Sequence, residues 1–128
     1  MKVLFEKHEA EEMFQDALCN GLDYISSYGL SIRFTKKAYQ SAIDFLSSYG
    51  GGFCYEDILM QILKQGDHLK LIDEEDGEDS WKIKLEDVHE RMQNVDFEHL
   101  VDMLKGNDDA TTADVILQTV FLNEVIFG

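Results

Sequence analysis

Residues 71–85, LIDEEDGEDSWKIKL, set a dense acidic run between two apolar segments. From Asp73 to Asp79, Asp73, Glu74, Glu75, Asp76, Glu78 and Asp79 all carry carboxylates, and the remaining residue is Gly77. Leu69 and Leu71 point one way before this run, and Trp81, Ile83 and Leu85 share one face after it. Apolar residues at every second position mark a half-buried strand. A solvated run with glycine between two such segments marks a turn longer than two residues. The expectation is a β-hairpin over about 69–72 and 81–85. Lys70, Lys82 and Lys84 fall on its solvent-facing side, where lysines discourage edge-to-edge pairing.

Outside the hairpin, the helical period dominates. Ala10, Met13, Phe14, Ala17 and Leu18 form one buried stripe, with Gly21 expected as the stop. In GLSIRFT (29–35), Leu30, Ile32 and Phe34 alternate with Ser31 and Arg33, which predicts a strand. Thr35 is placed to cap a second helix carrying Tyr39, Ala42, Ile43, Leu46 and Tyr49 and ending at Gly50. A third helix carries Ile58, Leu59, Ile62 and Leu63 and stops near Gly66. Beyond the hairpin, Leu85, Val88, Met92 and Val95 are spaced for a fourth. Asp96 caps a fifth with Phe97, Leu100, Val101 and Leu104 inward. Thr111-Thr112-Ala113-Asp114 resembles a capping box for a sixth, burying Ile116, Leu117, Val120 and Phe121. The closing VIFG predicts a short strand or a core-packing tail. The fold class expected is α+β: a mostly helical single domain, 1–128, with one hairpin and one or two further short strands. Strands that do not alternate with helices disfavour a doubly wound sheet.

The chain has 128 residues, 45 % hydrophobic, enough for one domain with a core. No apolar run approaches the ~18 residues of a membrane span, and the N-terminal stretch MKVLFEKHEAEEM does not resemble a signal peptide. Two cysteines without metal spacing suit a reducing, cytoplasmic compartment. The net charge of -15 disfavours direct binding to nucleic acid or to an anionic membrane and favours a basic protein as partner. Residues 67–109 hold most of the excess acid.

Each chemical constellation has a plainer reading beside it. In the acidic run, Gly77 fits no calcium-loop register: with glycine at position six, position twelve is Ile83. Glu86-x-x-His89 and Asp96-x-x-His99 put a carboxylate and an imidazole on one helix face. The further glutamates of a di-iron bundle are missing, so surface or boundary histidines are expected. His8 and Glu12 are spaced to pair on an exposed helix face. Cys19 and Cys54 read as small buried hydrophobes, and Gly50-Gly51-Gly52 as a helix stop and flexible joint. Arg33, Lys36 and Lys37 read as partners for acidic residues of the same chain. No cofactor, metal ligand or catalytic set is expected.

Two segments together, the acidic hairpin leading into LEDVHERMQ (85–93) and the ending NDDATTADVILQTVFLNEVIFG (107–128), resemble small acidic proteins of unknown function from Bacteroides-type genomes and their mobile elements. The resemblance covers roughly the last half of the chain. It implies a bacterial, cytoplasmic setting and carries no functional residue with it.

The functional expectation is a non-enzymatic cytoplasmic interaction or regulatory module. Asp73, Glu74, Glu75, Asp76, Glu78 and Asp79 are its candidate partner-binding residues. The alternative is an acidic nucleic-acid mimic that occupies the phosphate-binding surface of a basic protein, of the anti-restriction or anti-CRISPR type.

Overall fold

A computed structural model describes residues 6–75, 77, 79–105 and 110–127. The order is α1 (Lys7–Ser27), β1 (Leu30–Arg33), α2 (Lys36–Ser47), α3 (Tyr55–Lys64), β2 (Leu69–Asp73), β3 (Ser80–Ile83), α4 (Leu85–Arg91), a 3₁₀ turn (Met92–Asn94), α5 (Phe97–Leu104) and α6 (Ala110–Leu122). This is the expected mostly helical α+β domain. The strands form one antiparallel sheet in the order β1-β2-β3.

The hairpin forms with slightly shifted ends: Leu69 faces Ile83 and Leu71 faces Trp81. Leu85 leaves the strand and opens α4, because Lys84 is already its N-cap and donates its N–H to Asp87 Oδ2 at 2.9 Å. The predicted strand 29–35 is β1, which pairs with β2 through Leu30–Asp73 and Ile32–Leu71. The inward face of the sheet carries Leu30, Leu69, Leu71 and Ile83, all buried. The outward face carries a cationic row, because the registers place Arg33 opposite Lys70 and Lys70 opposite Lys82.

The core is centred on α1 and α6, which pack against each other more extensively than any other pair of elements. Phe14 and Phe121 meet there with ring centroids 5.8 Å apart. Gly21 does not stop α1. The helix runs six residues further, to Ser27, and Gly21 is buried inside it. A Cβ at Gly21 would lie 3.0 Å from Ala113 Cβ and 3.0 Å from Leu117 Cδ1, so the missing side chain lets the two helices approach.

Thr35 caps α2 as expected, its hydroxyl accepting the Ala38 N–H at 3.1 Å. Tyr49 lies beyond the end of α2 and is 78 % exposed instead of buried. The expected capping box at the start of α6 is displaced. The helix already begins at Ala110, and Asp114 turns its carboxylate into the protein. Among the described residues the C-terminal segment forms no strand. It folds back as a strap whose Phe127 ring stacks on Tyr28 at 5.0 Å.

Candidate functional site

The acidic run forms a closed turn. The Asp73 N–H donates to Asp79 O at 3.1 Å and the Gly77 N–H to Asp73 O at 2.7 Å, while Asp73 Oδ1 accepts the Glu75 N–H at 3.0 Å. Gly77 adopts φ +71°, a left-handed conformation that suits glycine. Glu74 is turned back onto β1, where its carboxylate accepts from the Ser31 hydroxyl and, at 2.5 Å, from the Arg33 guanidinium. The Ser31 hydrogen bond first and the Arg33 charge second hold the Glu74 carboxyl below the usual glutamate range. Glu75 leans over the start of β1: a Cβ added to Gly29 would sit 3.6 Å from its Cγ. Asp79 is exposed. Asp76 and Glu78 lie outside the described residues. Part of the run is therefore engaged within the chain, by Arg33 as expected. Lys36 and Lys37 are exposed and make no ion pair among the described residues.

The histidine motifs act as struts. His89 Nε2 lies 2.8 Å from Glu11 Oε2 and ties α4 to α1, so α1 engages a histidine through Glu11 and not through the expected His8–Glu12 pair. His99 Nδ1 lies 3.2 Å from Thr112 Oγ1, between α5 and α6. The described residues contain no group of three His, Cys, Asp or Glu side chains fit to hold a metal ion. Cys19 and Cys54 are both exposed, against the expectation of burial. A hydrogen bond with Glu56, reinforced by that carboxylate's charge, pushes the Cys19 thiol up, which makes it a poorer nucleophile. Cys54 is the N-cap residue of α3, where its N–H donates to Asp57 Oδ2 at 2.8 Å.

Two of the open clefts lined by described residues lie beside α2 and β1. One, of about 230 Å³, runs between α2 and α3 along Gly50-Gly51-Gly52 and is bounded by Tyr49, Phe53 and Gln61. Phe45 and Tyr49, both exposed, meet beside it with ring centroids 5.1 Å apart. The other, of about 240 Å³, lies along β1 between Leu30, Ile32, Leu22, Ile25 and Tyr55. Partial burial there pushes the Tyr55 phenol up.

One polar centre was not expected from the sequence. Gln118 is fully buried and uses its whole amide. Oε1 accepts the N–H groups of Ile126 (2.9 Å) and Phe127 (2.8 Å), while Nε2 donates to Phe127 O (3.0 Å) and Asp114 Oδ1 (3.0 Å). Tyr28 donates its hydroxyl to Asp114 Oδ2 at 2.6 Å, and this bond pushes the phenol up to about 12. The available signal was a pair of polar residues four apart, Asp114 and Gln118, inside the most apolar helix. Every partner in this centre belongs to the chain itself, which gives it the character of a clasp for the strap. No family model, curated protein or solved structure matches the chain, so its function is read from this geometry alone.

Proposed function

We propose that the chain is a non-enzymatic interaction module that binds another protein in the cytoplasm. The observation that carries this reading is the exposed Phe45–Tyr49 pair beside the glycine-lined cleft. Large aromatic side chains left in water are costly unless a partner covers them, and tyrosine is enriched among the residues that dominate binding energy. The triple glycine places backbone, with no side chain in the way, at the cleft wall.

A second reading, the nucleic-acid mimic, is favoured by the exposed carboxylates Glu12, Asp16 and Asp23 along α1 together with the net charge of -15. Affinity capture from nuclease-treated bacterial lysate separates the two. Three baits are compared: wild type, Phe45→Ser/Tyr49→Ser, and a bait with Glu12, Asp16 and Asp23 as well as Asp73, Glu74, Glu75, Asp76, Glu78 and Asp79 as Asn or Gln. The module predicts a partner lost only by the aromatic variant and retained in high salt. A nucleic-acid-binding protein released by salt and by carboxylate neutralisation favours the mimic. A bait set that captures no protein in a salt- or variant-dependent way sinks both.

A further inference from the structure

β1 is an edge strand, and its free side is defined by the ladder on its other side. The Glu74 N–H donates to Gly29 O, which makes Gly29–Glu74 a hydrogen-bonded pair. In an antiparallel ladder bonded and non-bonded pairs alternate. With the observed register, Ser31–Ile72 and Arg33–Lys70 are then bonded pairs, and Leu30–Asp73 and Ile32–Leu71 are not. The N–H and C=O groups of Leu30 and Ile32 therefore point away from β2, toward the groove that these residues line with Leu22, Ile25 and Tyr55.

An unpaired edge is a template for another strand, and natural sheets usually blunt it. This edge carries charge of both signs, separated along its length. At one end stand Lys36 and Lys37, just past Arg33, whose guanidinium already holds Glu74 of the same chain. At the other, Glu75 leans over Gly29 and makes no ion pair among the described residues. A strand laid antiparallel to β1 with the same charge order would match positive to negative at both ends. β1 itself is that strand.

We propose that two copies of the chain pair β1 to β1, antiparallel, about a twofold axis through Ser31, joining their sheets into one. In this register Leu30 of each copy faces Ile32 of the other, so the outward main-chain groups of both residues are satisfied. Their side chains stay on the inward face, and Ile32, half-exposed in the single chain, enters the groove of the second copy beside Leu22 and Ile25. Arg33 falls opposite Gly29 of the second copy, the glycine over which Glu75 leans, with Lys36 and Lys37 just beyond. The contact is self-complementary, as a twofold interface must be. It is short, so the dimer is a weak one. The mutual repulsion of two acidic bodies is screened beyond about 8 Å at physiological salt, which leaves the local contacts to decide. The proposal uses a surface separate from the Phe45–Tyr49 cleft and does not depend on that cleft binding anything.

Sedimentation velocity over a micromolar to millimolar concentration series tests it with two charge variants of the full chain. In Lys36→Glu/Lys37→Glu the altered end faces an unaltered Glu75; in Glu75→Lys the converse holds. Each variant alone is expected to self-associate at least about tenfold more weakly than wild type, because like charges then meet at both ends. An equimolar mixture of the two restores attraction at both ends and is expected to form a heterodimer. Ile32→Pro, which removes an outward N–H and no bond to β2, is expected to abolish dimers while its circular dichroism spectrum stays that of the wild type. A wild type that stays monomeric throughout overturns the proposal. So does a charge variant that associates as the wild type does, or a mixture that stays monomeric while the wild type dimerises.

Discussion

Gly21 and Gln118 show how single residues fix this fold. Gly21 brings α1 against Ala113 and Leu117 so closely that a methyl group there would push them back by a few tenths of an ångström. Gly21→Ala gains up to about 1 kcal/mol of helix propensity and loses about 1–3 kcal/mol to overpacking. The expected sum is a lower melting temperature, measurable by calorimetry. Gln118→Ala strands the main-chain groups of the strap and is expected to destabilise by about 1–3 kcal/mol. Hydrogen exchange at the Ile126 and Phe127 amides should accelerate at the same time. Tyr28 adds a pH dependence of known sign. The hydrogen bond to Asp114 pushes its phenol from the usual 10 up to about 12, so the stabilisation it provides is complete below pH 10 and is lost as pH rises through about 12. An ultraviolet phenolate titration with a Tyr28→Phe control reads it. None of these roles was legible beforehand. Glycine after an apolar stripe has the same appearance as a helix stop or as a close-approach site, and only the position of α6 distinguishes them.

At the scale of elements the hairpin, β1 and the capped start of α2 were legible, because period two, turn-forming residues and an N-cap threonine are local signals. The ends were not: Leu85 satisfies both the strand pattern and the first turn of α4, and the Lys84–Asp87 contact decides for the helix. The start of α6 was misplaced for a related reason. Asp114 had the spacing of a capping partner, and its burial beside Tyr28 and Gln118 emerges only in three dimensions. The sheet also carries an evident electrostatic fault. Lys70 sits between Arg33 on one neighbouring strand and Lys82 on the other. Like charges directly opposite are unfavourable, and opposite charges contribute roughly 0.2–1 kcal/mol per pair. Lys70→Glu converts two repulsive pairs into attractive ones and is expected to raise the melting temperature by a few degrees, an increase that should shrink in high salt.

Across the whole molecule, exposed carboxylates occur on α1, α2, the hairpin, α4 and α5. Self-repulsion of a chain at -15 weakens the compact state, so moderate sodium chloride should raise the melting temperature of the wild type. The sequence conveyed the total charge but not its placement, and the partial neutralisation of the hairpin by Arg33 depends on a pairing between distant strands. The α1–α6 packing has a further consequence, during synthesis. The partner of Gly21 lies about 90 residues downstream, and ribosomes add about 5–20 residues per second. For roughly 5–20 s the nascent α1 therefore lacks the helix that packs most extensively on it, and Phe14 lacks Phe121, an interval long enough for a chaperone to bind. The central packing of the fold waits until α6 has been synthesised.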